Sequence, residues 1–192
     1  MTFIRETIIT SCDADGNVHV APMGATVTEP GYILAPFRPS RTLDNLLATR
    51  CAVINFADDV RVFAGCVTGR KRDWPTVPAE RIRGAVLACA LAHEEVEVVA
   101  VEDDGTRPRL DCRPVHRASH RPFRGFNRAQ AAVVEGAILV SRLHLLPPEK
   151  IDREMEYLSI AIDKTAGPIE TEAWGWLLDR IARHRAEAGN AA

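Results

Sequence analysis

Apolar and polar positions alternate over residues 3–11, where Ile4, Thr7, Ile8, Ile9 and Thr10 supply β-branched side chains, and this predicts a strand. Asp13-Ala14-Asp15-Gly16-Asn17 reads as a turn, because Gly and Asn tolerate positive φ. Val18 to Val27 then returns, so residues 3–27 form a predicted β-hairpin. Pro22 cannot donate to a ladder, so the returning strand is broken, bulged or at an edge at Ala21-Pro22. Gly24 lets another backbone or a ligand come close there. After the Pro30-Gly31 turn, YILAPF and CAVINF (51–56) are further strands, separated by a helix over 43–49 that faces Leu43, Leu46 and Leu47 inward.

Val60 to Thr68 reads as a short helix and Gly69 to Pro78 as a loop. Residues 85–101 form one or two strands, with Glu94, Glu95 and Glu97 facing solvent at a bend. Glu102-Asp103-Asp104-Gly105 is a hairpin turn, and Arg109 to Ser119 returns with Leu110, Cys112 and Val115 in alternation. Antiparallel pairs with only a short interposed helix predict a small barrel or split barrel rather than a βαβ sandwich. Asn127 caps a helix that runs to about Leu145 and buries Ala131, Val134 and Ile138. Pro147-Pro148 opens the next helix, striped by Ile151, Met155, Leu158 and Ile162. Thr171 caps the last, whose apolar face is Trp174, Leu177, Leu178 and Ile181. Residues 147–188 thus read as a helical hairpin whose Trp and Met side chains are core or dimer contacts, with a frayed tail beyond. The predicted fold class is α+β: an antiparallel barrel domain over 1–125, a helical region over 126–188 and a tail at 189–192.

Composition narrows the partners. A 46% apolar fraction in 192 residues is ample for a core. Net charge near −2 and few aromatics argue against nucleic acid or an anionic membrane as a partner. The five cysteines stand far apart without a CxxC pair, so buried thiols in a reducing compartment are expected, and no metal site. The opening MTFIRETIITSC lacks a basic-then-apolar leader pattern, and no window approaches the ~18 apolar residues of a membrane span. A cytoplasmic location is expected.

Two stretches carry candidate chemistry. RPSRT (38–42) opens the first helix, with Ser40 or Thr42 as N-cap. Unpaired N–H groups and the positive dipole end there, with Arg38 and Arg41, suit a phosphate; an ordinary capped helix with solvated arginines is the alternative. The second runs from Arg107 to Arg128 and holds seven arginines with His116 and His120. It is either an anion-binding wall or a solvated strand face followed by a flexible loop. The two histidines read as surface residues. No GxGxxG or GxxxxGK[ST] occurs, so neither a dinucleotide fold nor a P-loop is supported.

The order of elements resembles the FMN-binding split-barrel superfamily of flavin reductases and pyridoxamine-phosphate-oxidase-like proteins. VAPMG, S-x-T-x-x-N (Ser40, Thr42, Asn45) and VINF carry that resemblance. APMG, RPSRTLDNL, VINF with the following Asp pair, and FNRAQAAVVEGAILVSRL are similar, more narrowly, to the DUF447 family. The resemblance implies FMN as cofactor, its phosphate held by Ser40, Arg41 and Thr42. The ring would lie along Pro22, Met23 and Gly24, and Asn45 would support the loop. Arg38, Asn55, Asn127 and Arg128 are further implied contacts. It also implies a homodimer with flavin near the subunit interface and a small-molecule substrate. A link to methanopterin-type one-carbon chemistry would make that substrate a pterin. A flavin-dependent oxidoreductase is the reading preferred, with a non-catalytic FMN carrier or sensor as the alternative. A nucleic-acid module using the Arg107–Arg128 stretch is disfavoured by the balanced charge.

Overall fold

The structure, a computed structural model, describes residues 2–103 and 105–189. Six strands close an antiparallel barrel: β1 (Ile4–Cys12), β2 (Val18–Val27), β3 (Tyr32–Leu34), β4 (Cys51–Phe56), β7 (Ala92–Glu102) and β8 (Arg109–Ser119), in the order β1-β2-β3-β8-β7-β4. Helix α1 (Arg41–Thr49) links β3 to β4, and β5 (Thr76–Pro78) with β6 (Ala85–Leu87) forms a separate two-stranded hairpin. The helices α2 (Arg61–Thr68), α3 (Arg128–Ser141), α4 (Pro148–Thr165) and α5 (Pro168–Gly189) complete the chain.

Contacts divide these elements into two units, Met1–Asp58 with Asp73–Phe123, and Asp59–Arg72 with Arg124–Ala192. α2, which lies in sequence between β4 and β5, therefore belongs with the C-terminal helices. In that unit Gly136 of α3 lets its neighbours approach: a Cβ there would lie 3.0 Å from Leu177 Cδ1 and Trp174 Cζ3 of α5 and 3.6 Å from Met155 Sδ of α4. Trp174 and Met155 are core residues, as their helical spacing suggests. α5 reaches Gly189, and the remainder of the expected frayed tail lies outside the described residues. No described helix is long and apolar enough to cross a membrane.

In the barrel unit, alternate residues of each strand point inward. Ile9, Ala25, Leu34, Ile54, Val96 and Leu110 meet Leu43 and Leu46 of α1 in one apolar cluster. The β1–β2 hairpin turns where its sequence predicts: Asp13 Oδ1 accepts from the N–H groups of Asp15 and Asn17, and Gly16 has φ +93°. Pro22 neither breaks nor bulges β2. It pairs with Ile8 in an unbroken register, and because β3 joins β2 only at Ala25–Val27, residues 21–24 form an edge.

β3 is shorter than YILAPF, ending before Pro36, which has no N–H to continue a ladder. β5 replaces the end of the loop expected at 69–78 and pairs with β6, at the start of the stretch expected as one or two strands. The turn after β7 includes Asp104, which lies outside the described residues; its neighbour Asp103 accepts from the Gly105 N–H at 2.9 Å.

Gly31 precedes β3 where the chain passes against β8. A Cβ there would stand 2.2 Å from the Cys112 carbonyl oxygen and 2.7 Å from Pro114 Cδ. Backbone cannot yield as a flexible side chain would. Gly31→Ala is expected to lose about 3 kcal/mol of stability, the upper part of the range for overpacking, read as a lowered urea midpoint with an unchanged slope.

Candidate functional site

The start of α1 is built by its cap. Ser40 has extended backbone, and its hydroxyl accepts from the Leu43 N–H at 3.2 Å. Its carbonyl accepts from Asp44 N–H. Among the described residues the N–H groups of Arg41 and Thr42 have no acceptor, and the Arg41 side chain is exposed and without a partner. Thr42 is buried, and Asn45, also buried, donates from Nδ2 to Ser11 Oγ at 3.1 Å, tying α1 to β1. Arg38 pairs with Asp103 at 2.6 Å and its N–H donates to Thr106 O, which fixes the preceding loop to the tip of the β7–β8 hairpin.

On β2 the three candidate residues face different ways. Met23 packs against the inner cluster, while Gly24 faces the side chains of Ile4 and Glu6. What Pro22, Met23 and Gly24 share is the backbone edge.

Asn55 is fully buried and its amide is engaged within the barrel unit: Nδ2 donates to Ile8 O and Thr10 Oγ1, and Oδ1 accepts from Leu87 N–H at 2.8 Å. It clamps β1, β4 and β6 together. Asn127 belongs to the helical unit, where Oδ1 caps α3 through the N–H groups of Ala129 and Gln130 and Nδ2 reaches Thr165 O; Arg128 is the first residue of α3.

A cavity of about 720 Å³ opens elsewhere, at the Ala92/Ser119 end of the β7–β8 ladder, opposite the end that holds Arg38. Arg5, Tyr32, Phe56, Glu94, His120 and Arg121 are among its walls; His120 and Arg121 come from the basic stretch, and none of the residues expected to contact FMN lines it. Glu94 accepts from Tyr32 OH and from Arg117 Nε, each at 3.0 Å. Burial, reinforced by the Glu94 charge, pushes the Tyr32 phenol up to about 12.

The basic stretch resolves into cross-strand pairs: Arg109 with Glu102, Arg113 with Glu97 and Arg117 with Glu94 are register partners on β8 and β7. Arg107 lies over Phe37 and donates to Ala35 O, and Arg121 donates to Cys89 O. Of the two readings open for this stretch, the paired strand face is the one these contacts support. Cys12, Cys51 and Cys112 are buried thiols; burial pushes Cys112 up to about 12.

The outer wall of the barrel holds polar residues that the sequence does not single out. Glu95, read from sequence as solvent-facing, is fully buried. The turn between β5 and β6 folds over it: Oε1 accepts from Glu80 N–H at 2.7 Å, and Oε2 from Arg81 and Ile82 N–H at 2.7 and 3.0 Å. Burial alone would raise the Glu95 carboxyl, but these three donors and His93 hold it below its ordinary value. His93 is buried beside it, and burial lowers the imidazole from its ordinary value, with His120 and His116 acting in the same sense. His93 Nδ1 lies 2.8 Å from His120 Nε2, with the two rings stacked.

A six-stranded antiparallel barrel with one helix packed into its core defines the protein's class as a split barrel. The same architecture occurs in a protein from Shewanella frigidimarina described as a flavin reductase with split barrel domain (TM-score 0.52, 13% identity, 61% of this chain and 68% of that one). It occurs also in a homologue of nitrilotriacetate monooxygenase component B from Mycobacterium thermoresistibile (TM-score 0.52, 20% identity, 64% and 73%). The chain belongs to the DUF447 family of proteins of unknown function: residues 5–121 match its N-terminal domain and residues 127–179 its C-terminal domain. An FMN-bound DUF447 protein from Methanosarcina mazei superposes over 92% of this chain and 94% of its own, with TM-score 0.79 and 19% identity. No curated protein matches.

Proposed function

We propose that the chain binds FMN and acts as a flavin-dependent oxidoreductase on a small molecule. The observation that carries this is correspondence along nearly the whole chain with a family member whose structure contains FMN. The start of α1 fits the group: two N–H groups without an acceptor lie at the positive end of a nine-residue helix whose first residue is the exposed Arg41. Arg41, with Ser40 and Thr42, would hold the terminal phosphate. Asn45 keeps α1 in place through Ser11.

The unpaired edge of β2 at residues 21–24 would offer backbone groups to the ring, and a second subunit would supply the other wall. Flavin-binding is assigned to the barrel domain (1–125), in a protein housed in the cytoplasm, where thiols without disulfides are stable. The bound flavin supplies hydride transfer; the chain's own residues bind it, orient it and tune it through hydrogen bonds. A reduced pterin is the first substrate class to assay, on the strength of the family resemblance.

Fluorescence titration of FMN tests the site. Arg41→Ala combined with Thr42→Ala is expected to weaken binding at least about tenfold, since one charge-assisted hydrogen bond contributes roughly 1.5–3 kcal/mol. Equal affinities for variant and parent would remove the phosphate site from α1. Reduction of the bound flavin by NADH or NADPH separates an oxidoreductase from a carrier.

A further inference from the structure

The strands β7 and β8 bring together three side chains, two from neighbouring positions of β7 and one from β8. His93 and Glu95 are two residues apart on β7 and share its outer face, and Glu95 is the register partner of His116 on β8. The register shifts by one residue between Glu95/His116 and Val96/Pro114, a bulge beside the cluster. One ligand atom from each of the three lies within 4.8 Å of the others. His93 Nε2 stands 3.5 Å from Glu95 Oε1, and His116 Nε2 stands 3.5 Å from Glu80 Oε1 on the overlying turn.

Two polar atoms there are not otherwise satisfied. The Nε2 atoms of both His93 and His116 are buried and have no hydrogen-bond partner, and His93 is only 3% exposed. Two unpartnered imidazole nitrogens beside a buried carboxylate are costly in an ordinary protein wall. Glu95 has no Lys or Arg bonded to it; three backbone N–H groups and the neighbouring His93 hold its charge, and Oε1, with a single N–H donor, retains acceptor capacity. A cation at the centre would satisfy all three groups at once.

We propose that His93 Nε2, His116 Nε2 and Glu95 Oε1 bind one divalent first-row transition ion, with Glu80 as the fourth ligand from the turn. The spacing fits zinc: bonds of about 2.0–2.1 Å in a tetrahedral shell set ligands roughly 3.3 Å apart, close to both 3.5 Å separations. The orientation of His93 fits as well. With Nε2 on the metal, its proton sits on Nδ1 and is donated to His120 Nε2 at 2.8 Å, the outer-shell hydrogen bond that metal-bound histidines normally make. Borderline imidazole and carboxylate donors without thiolate suit Zn²⁺, Co²⁺ or Fe²⁺ rather than Ca²⁺ or Mg²⁺. The ion would fasten the 79–84 turn to the barrel wall. Through His93 and His120 it would also abut the 720 Å³ cavity, one wall of which is His120.

The test uses the full chain, stripped with a chelator and titrated with ZnCl₂ against a chromophoric zinc indicator. One high-affinity equivalent is expected. His116→Ala, at the partly exposed ligand, should weaken it by at least 100-fold, and His120→Ala, in the outer shell, by about tenfold. Circular dichroism establishes that each variant is folded. X-ray absorption of the zinc-loaded parent protein needs no variant and should show only nitrogen and oxygen neighbours near 2.0 Å, with imidazole scattering. Absence of a stoichiometric site, zinc affinity unchanged in folded His116→Ala, or a sulfur neighbour would each overturn the proposal.

Discussion

Glu95→Gln is expected to destabilise the protein by about 3 kcal/mol even in the presence of EDTA, because the loss arises from hydrogen bonds and not from any ion. The carboxylate accepts from three consecutive backbone N–H groups in a site closed to water. Glutamine keeps the volume but turns one acceptor into an NH₂, which must face at least one of those N–H donors. Hydrogen bonds to a charged group contribute roughly twice what neutral ones do, and a buried donor left without an acceptor costs about 1–3 kcal/mol. For a chain of this size the expected fall in Tm is roughly 6–12 °C, measured by calorimetry at neutral pH. A fall of less than about 2 °C would show that the 79–84 turn does not depend on the carboxylate.

Asn55→Ala should cost a comparable amount, about 3–4 kcal/mol, for a different reason. It removes donors to Ile8 O and Thr10 Oγ1 and leaves the Leu87 N–H without its acceptor, all in a region with no exposure. The clamp between β1, β4 and β6 opens, so hydrogen exchange at Leu87 should accelerate with the global loss of stability. FMN affinity, measured where the variant is still folded, should stay within about twofold of the parent, because an amide already engaged on both ends has nothing to offer a ligand. A large loss of FMN affinity without loss of stability would move Asn55 from clamp to cofactor contact.

These two residues mark where local sequence stops being informative. The β1–β2 hairpin, α1 with its Ser40 cap, β8, and the Asn127 cap of α3 follow from alternation, turn residues and capping chemistry, all of which act within a few positions. Glu95 sits in a run of glutamates whose natural reading is solvent. Only the turn at 80–82, fifteen residues earlier, makes it a buried anion. That turn joins two three-residue strands, too short for a period to register. The arginines of β8 invite an anion-binding reading until β7 supplies its glutamates in register. Exposed pairs of that kind contribute little to stability but remove the net field.

The candidate cofactor residues divide similarly. Ser40, Arg41, Thr42 and Asn45 are legible as the opening of α1 because a helix start is a local feature, while their cofactor role rests on the family resemblance. The cavity at Tyr32, Glu94 and His120 is assembled from five separate strands and the loops beside them, and no spacing in the chain announces it. The His93–Glu95–His116 cluster is likewise set by strand register and a bulge.

FMN in this barrel would show in the absorption spectrum of the freshly purified chain, followed by acid release and chromatography of whatever absorbs. Yellow protein with the two visible flavin bands is expected, and a released chromophore that co-elutes with FMN at no more than one per chain. Colourless protein that neither quenches nor shifts the fluorescence of added FMN would contradict it.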